Sequence, residues 1–168
     1  MSQSIRIPEP ADLEPLASLW HQGWKEAHGD HVPAELHAAR TLDSFRIRLE
    51  KHLPNARTSG PVGAPHGLCI VRGEYLDQLY IAPSERGTGL AAKLLADAET
   101  RIREGGHATA RLTAIAENHR ALAFYQKHGW TISTTEPVEL ETLGDPFHGL
   151  GRADQVFVRI VANDSQLR

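Results

Sequence analysis

Cysteine is almost missing from this chain: Cys69 is the only one in 168 residues. A single thiol excludes an intramolecular disulfide and fits a reducing compartment. Long apolar runs are missing as well. No stretch approaches the ~18 apolar residues of a membrane span, and the opening MSQSIRIPEP has no apolar segment of the signal-peptide kind. The expectation is a soluble, cytoplasmic protein without a membrane partner. Nor is there an excess of basic charge. Eighteen Lys and Arg against 21 Asp and Glu leave a net charge of −3, which is not the footprint of a nucleic-acid-binding surface.

What is present suffices for one core. At 40% hydrophobic, 168 residues suit a single domain over the whole of 1–168. Cys69 lies among Leu68, Ile70 and Val71 and reads as a buried strand thiol rather than a nucleophile. Most of the ten histidines read as surface groups. His28, His31 and His37 match no zinc spacing, so no metal is expected.

The periodicities place the elements. Ser4 to Ile7 alternates and reads as a first strand ended by Pro8. Asp12 then caps a helix with Leu13, Leu16, Ala17, Trp20, Trp24 and Ala27 on one face, ended by Gly29 and Asp30. Pro33 suits the start of a second helix, and Thr41 caps a third that carries Leu42, Phe45, Leu49 and Leu53. Residues 55–65 read as a loop or weak edge strand. Gly67 to Arg72 and Tyr75 to Ala82 make a hairpin about Gly73-Glu74.

Beyond a glycine loop, Leu90, Leu94, Leu95, Ala98 and Ile102 form a helical stripe that Gly105-Gly106 closes. Ala108 to Ala116 reads as a strand. Asn118 caps a helix reaching His128, with Gly129 as its left-handed terminator. Trp130 to Thr134 and Gln155 to Ala162 are the last strands, joined by a long acidic, glycine-containing connection. This order makes an α/β (α+β) protein, a mixed sheet covered by helices.

The chemistry concentrates where the strand from Tyr75 meets the helix from Leu90. The first amides of a helix lack intrahelical partners and lie at the positive end of its dipole, and Gly87 and Gly89 let backbone approach a ligand closely. That junction is an anion site, unless the glycines serve only a tight turn. It is not a Walker loop, because Gly89 is followed by Leu90-Ala91 instead of Lys and a hydroxyl residue. Gly87 to Ala92 fits the letters of a dinucleotide fingerprint, but a hairpin precedes it where a first parallel strand belongs.

Two segments resemble one family. Arg86-Gly87-Thr88-Gly89-Leu90-Ala91 is similar to the R/Q-x-x-G-x-G/A signature of the GNAT superfamily of acyl-CoA-dependent N-acyltransferases, with the Leu-Tyr-Ile-x-Pro strand end just before it. The stretch from Glu117 to Trp130, with Asn118, Phe124-Tyr125 and Gly129-Trp130, resembles the family's second signature. The resemblance implies a mostly antiparallel sheet of about six or seven strands with about four or five helices.

It also implies N-acetyl transfer from acetyl-CoA to a primary amine, on a small molecule or a peptide. Amides of Gly87, Thr88, Gly89, Leu90 and Ala91, with Arg86, would hold the pyrophosphate. Leu79, Tyr80 and Ile81 would offer backbone to pantetheine and thioester, the Ile81 amide polarising the carbonyl. Asn118 and Phe124 would meet the pantetheine arm, although Asn118 is equally an N-cap. Tyr125, two helical turns beyond Asn118, would protonate the leaving thiolate, its alternative role being a core aromatic.

For the general base the candidates are Asp77, which alternates onto the side of Leu79 and Ile81, and Glu74 at the hairpin turn. Trp24, His28 and His31 would line the acceptor side, although Trp24 fits a core equally well. A homodimer through the C-terminal strand is compatible with the family. The rival readings are a catalytically silent acyl-CoA-binding module and an acetyltransferase acting on aminoacyl-tRNA, the latter disfavoured by the net charge.

Overall fold

The computed structural model describes residues 3–28, 34–114, 118–134, 138–139, 152–153 and 155–160. His31, the Gly29-Asp30 helix stop and most of the acidic connection lie outside them. The helices are α1 (Leu13–His28), α2 (Ala34–Ala39), α3 (Leu42–His52), α4 (Leu90–Glu104) and α5 (His119–Lys127). The strands are β1 (Ala56–Ser59), β2 (Gly67–Arg72), β3 (Tyr75–Ile81), β4 (Thr109–Ala114), β5 (Thr131–Thr134), β6 (Val138–Glu139), β7 (Arg152–Ala153) and β8 (Gln155–Ile160). One sheet runs β1-β2-β3-β4-β8-β5, and β6 pairs with β7 in a small ribbon inside the connection that the sequence reads as loop.

The mixed α/β character follows from which faces are apolar. Strand β2 is buried on both sides: Leu68 and Ile70 pack under α1 and α3 with Trp20, Phe45 and Leu49, while Cys69 and Val71 pack under α4 with Leu90, Leu94 and Ile102. A strand covered on both faces needs a continuous apolar run, which is what Leu-Cys-Ile-Val supplies. Two of the predicted caps form. Thr41 Oγ1 accepts from Ser44 N at 3.2 Å, and Asn118 Oδ1 accepts from Ala121 N at 3.3 Å.

Three local expectations change. Ser4 to Ile7 is not a strand: Arg6 alone bridges Thr58, and Pro8 stops the ladder from extending. Asp12 does not cap α1. It ends a 3-10 turn (Pro10–Asp12), where its carboxylate is fully buried and accepts from Arg6 Nη1 at 2.7 Å, Glu9 N at 2.8 Å and Gly63 N at 2.9 Å. Residues 56–59, read as loop or weak edge, form the edge strand β1, antiparallel to β2.

The change with most bearing on the site is in β3. Its register with β2 shifts between Ile70↔Gln78 and Val71↔Leu76, leaving Asp77 without a cross-strand partner. An extra residue in a strand reverses the alternation beyond it. Leu76 thereby joins Leu79 and Ile81 in the α4 core, and Asp77 does not share their side as simple alternation predicts.

Candidate active-site groove

Strands β3 and β4 are parallel neighbours, yet among the described residues they pair only at Tyr75↔Arg111, beside the hydrogen bond from Arg111 N to Glu74 O. On its other edge β4 pairs with β8 from Thr109 to Ala114. Among the described residues, the end of β3 is held only by β2. At its tip Ala82 N donates to His66 O on the β2 side at 2.8 Å. Alternation then turns the backbone of Ile81 away from β2, toward the gap that β4 leaves.

A groove of about 780 Å³ lies there. Leu79, Tyr80 and Ile81 line one wall, followed by Arg86 and Ala91, and Asn118, Phe124 and Tyr125 line the wall made by α5. Residues from three separate segments of the sequence therefore share one cavity. The third wall is α1, through Ser18, Gln22, Gly23 and Glu26 among others.

At one end the loop opens α4. Gly87 and Gly89 have φ of +81° and +87°, and a Cβ on either would meet no atom within 4 Å, so their requirement is conformational rather than one of space. Thr88 Oγ1 donates to Glu85 O at 2.6 Å and accepts from Gln3 Nε2 at 3.0 Å, which braces the loop from both sides. The amides of Gly87, Gly89, Leu90 and Ala91 have no backbone acceptor among the described residues. They are the open donors of a helix start, at the positive end of a 15-residue helix. Arg86 stands beside them, its Nη2 donating to Glu26 Oε2 at 2.6 Å.

The two groove phenols are held protonated. Burial raises Tyr125 and Tyr80 above the usual phenol range. Tyr125 packs against Phe124 with ring centroids 5.3 Å apart and against Trp130 at 5.9 Å, so core packing and groove exposure are both real for this ring. Asn118 likewise caps α5 and lines the groove. Cys69 is fully buried, and desolvation pushes its thiol up to about 12, which suits a core residue and not a nucleophile.

The remaining sequence candidates lie elsewhere. Asp77 Oδ1 accepts from Arg72 Nε at 3.0 Å and Nη2 at 2.7 Å, and Glu74 Oε2 accepts from Arg111 Nε at 3.3 Å; neither lines the groove. Trp24 is 8% exposed in the core beneath α1, with His28 stacked on it at 5.8 Å and His37 edge-on at 5.7 Å. No group of three metal-ligating side chains occurs among the described residues.

Sequence reasoning missed the groove face of α1. Gln22, Gly23 and Glu26 on that face carry no motif signal in the sequence. A glycine inside a helical pattern costs about 1 kcal/mol against alanine and so asks for a reason. The reason is the Tyr80 ring, which occupies the space a side chain at Gly23 would need.

Comparison with known proteins agrees with this arrangement. The family model described as Acetyltransferase (GNAT) domain matches residues 28–142. The chain is 33% identical over 155 residues to the peptidyl-lysine N-acetyltransferase YjaB of Salmonella typhimurium, covering 88% of this chain and 94% of that protein. The solution structure of apo-form YjaB from Escherichia coli is similar in fold, with a TM-score of 0.67 at 23% identity over 95% of this chain and 97% of that one. So is that of yncA from Salmonella typhimurium with its cofactor acetyl-CoA, with a TM-score of 0.68 at 14% identity over 97% of this chain and 96% of that one. The chain belongs to the GNAT acetyltransferase family.

Proposed function

We propose that this protein transfers an acetyl group from acetyl-CoA to a primary amine by direct attack, and that the amine is a lysine side chain of a peptide or protein. The observation that carries the reading is that one groove is lined by Arg86 and Ala91 at the glycine-loop start of α4, by Leu79, Tyr80 and Ile81 of β3 and by Tyr125 of α5. The acetyl-CoA in the yncA structure supports the donor, and the similarity to the peptidyl-lysine N-acetyltransferase YjaB supports the acceptor.

The donor set fits a CoA thioester. The open amides of Gly87, Gly89, Leu90 and Ala91 would hold pyrophosphate at a helix start, the two glycines at φ angles that bare the backbone, whereas the Thr88 amide expected beside them donates to Glu85 O at 3.4 Å. Arg86 adds a fixed, fork-shaped cation. Leu79, Tyr80 and Ile81 offer an extended wall to pantetheine, with Asn118 and Phe124 facing it across the groove. The thioester supplies an activated acyl carbon.

The Ile81 N–H is oriented to stabilise the negative charge that develops on the acyl oxygen. The amine nitrogen forms its bond to the acyl carbon, the carbon–sulfur bond breaks, and sulfur leaves with the electron pair. Tyr125 then donates its proton to that sulfur. The proton lost by the amine passes into groove water, from which the Tyr125 phenolate regains its own, since Asp77 and Glu74 are held by arginines outside the groove.

Incubation with acetyl-CoA and a lysine-containing peptide should yield stoichiometric free thiol and a peptide heavier by one acetyl group. Acetyl-CoA binding, seen as a thermal shift, with no thiol release across a panel of amines would instead identify a binding module.

A further inference from the structure

The groove contains an ion pair that acetyl transfer does not require. Arg86 Nη2 donates to Glu26 Oε2 at 2.6 Å, joining the glycine loop to α1 across 60 residues of sequence. Both side chains line the groove, and they are 33% and 43% exposed, so water competes for each and the pair is weakly held. Arg86 lies three residues before Gly89, the N-cap of α4, beside the open amides. A pyrophosphate accepts bidentate hydrogen bonds and carries more charge than one carboxylate, so it is the better partner for the guanidinium. Filling the loop therefore takes Arg86 from Glu26.

What Glu26 then faces follows from helix geometry. Ser18, Gln22 and Glu26 recur at four-residue spacing on one face of α1 and line the groove, while Leu16, Ala17, Trp20 and Trp24 turn into the core. With pyrophosphate on the glycine loop and pantetheine between β3 and α5, this α1 wall is what remains for the acceptor.

We propose that Glu26 is a specificity-determining residue for the acceptor, which pairs with Arg86 until the pyrophosphate of acyl-CoA takes the guanidinium from it. It then pairs with a positively charged group of the acceptor other than the amine that reacts. The step is an exchange of ion partners in which no covalent bond changes. It rests on the acetyl-CoA reading above and assigns that site a preference for acceptors with a second cation. A built-in competitor for Arg86 also lowers CoA affinity.

The variant Glu26→Gln separates these effects while preserving shape. CoA titrated calorimetrically into the wild type and the variant should bind the variant about threefold more tightly, because Arg86 no longer has a carboxylate to leave. Two single-lysine peptides, one flanked by arginine and one by glutamine, supply the second readout. The ratio of their kcat/KM values should fall about fivefold in the variant. Equal or weaker CoA binding in the variant would overturn the exchange at Arg86, whether or not either peptide is acetylated. An unchanged ratio would overturn the acceptor role. Absence of wild-type turnover with every amine would reject the acetyltransferase reading itself, and the titration alone would then decide the exchange.

Discussion

A Cβ placed on Gly23 of α1 would lie 2.3 Å from Cδ1 and 2.8 Å from Cε1 of Tyr80. The helix gives up a side chain at a place where the Tyr80 ring of β3 packs against its backbone. Replacing a helical glycine by alanine ordinarily gains about 1 kcal/mol. Gly23→Ala should instead destabilise by about 1–3 kcal/mol through overpacking, read as a lowered Tm. In a Tyr80→Leu background the same change should become neutral or stabilising, and equal penalties in both backgrounds would remove the contact as the cause.

The buried carboxylate of Asp12 makes a prediction about acid stability. Its hydrogen bond to Arg6, opposed by desolvation and aided by the Glu9 and Gly63 amides, lowers its pKa from the ordinary 3.8 to about 2. A depressed carboxylate contributes stability that is fully present above the unfolded pKa and is lost as pH falls through the folded one. The contribution is about 2 kcal/mol at neutral pH and disappears between about pH 4 and 2. Asp12→Asn should flatten the acid limb of the stability curve over that window. Parallel pH curves for the two proteins would show that Asp12 does not titrate as described.

Gly89 tests the glycine loop. Its φ of +87° and the open space about its Cβ position mean that alanine would be penalised by conformation alone, at about 1–2 kcal/mol. Because the strain is local to the loop, Gly89→Ala should weaken CoA binding about tenfold in calorimetry. The fold should persist by circular dichroism. Unchanged CoA affinity would separate this loop from the anion it is assigned.

Cys69, fully buried and with its thiol pushed up to about 12, should stay silent toward thiol reagents in the folded protein. One equivalent should appear only on denaturation. Prompt labelling of the native protein would contradict the burial.

Much of the site was legible in the sequence because its signals are local. The positive-φ glycines at Gly87 and Gly89, the cap at Asn118 and the terminator Gly129 each report a backbone requirement at the residue itself. The Asp77 bulge was not legible, since a one-residue slip depends on the partner strand and leaves no mark in YLDQLYI. The groove wall made by α1 was not legible for a related reason. Helix α1 carries two stripes, and the aromatic one with Trp24 drew the assignment, although it is core. The stripe with Ser18, Gln22 and Glu26 has the composition of a solvated face, and only the position of β3 and α5 makes it a wall. Gly23 alone signalled that something packs there.

The central claim is that the groove performs acetyl transfer with Tyr125 as the proton donor. Burial holds the Tyr125 phenol above its usual range, so it keeps its proton across the working pH and its ionisation does not shape the alkaline limb of activity. The most direct measurement is kcat against pH for the wild type and Tyr125→Phe, with acetyl-CoA affinity measured in parallel. The account predicts a kcat roughly 100-fold lower at every pH, unchanged profile shape, and acetyl-CoA affinity within about twofold. Equal kcat for the two proteins across the range would contradict it.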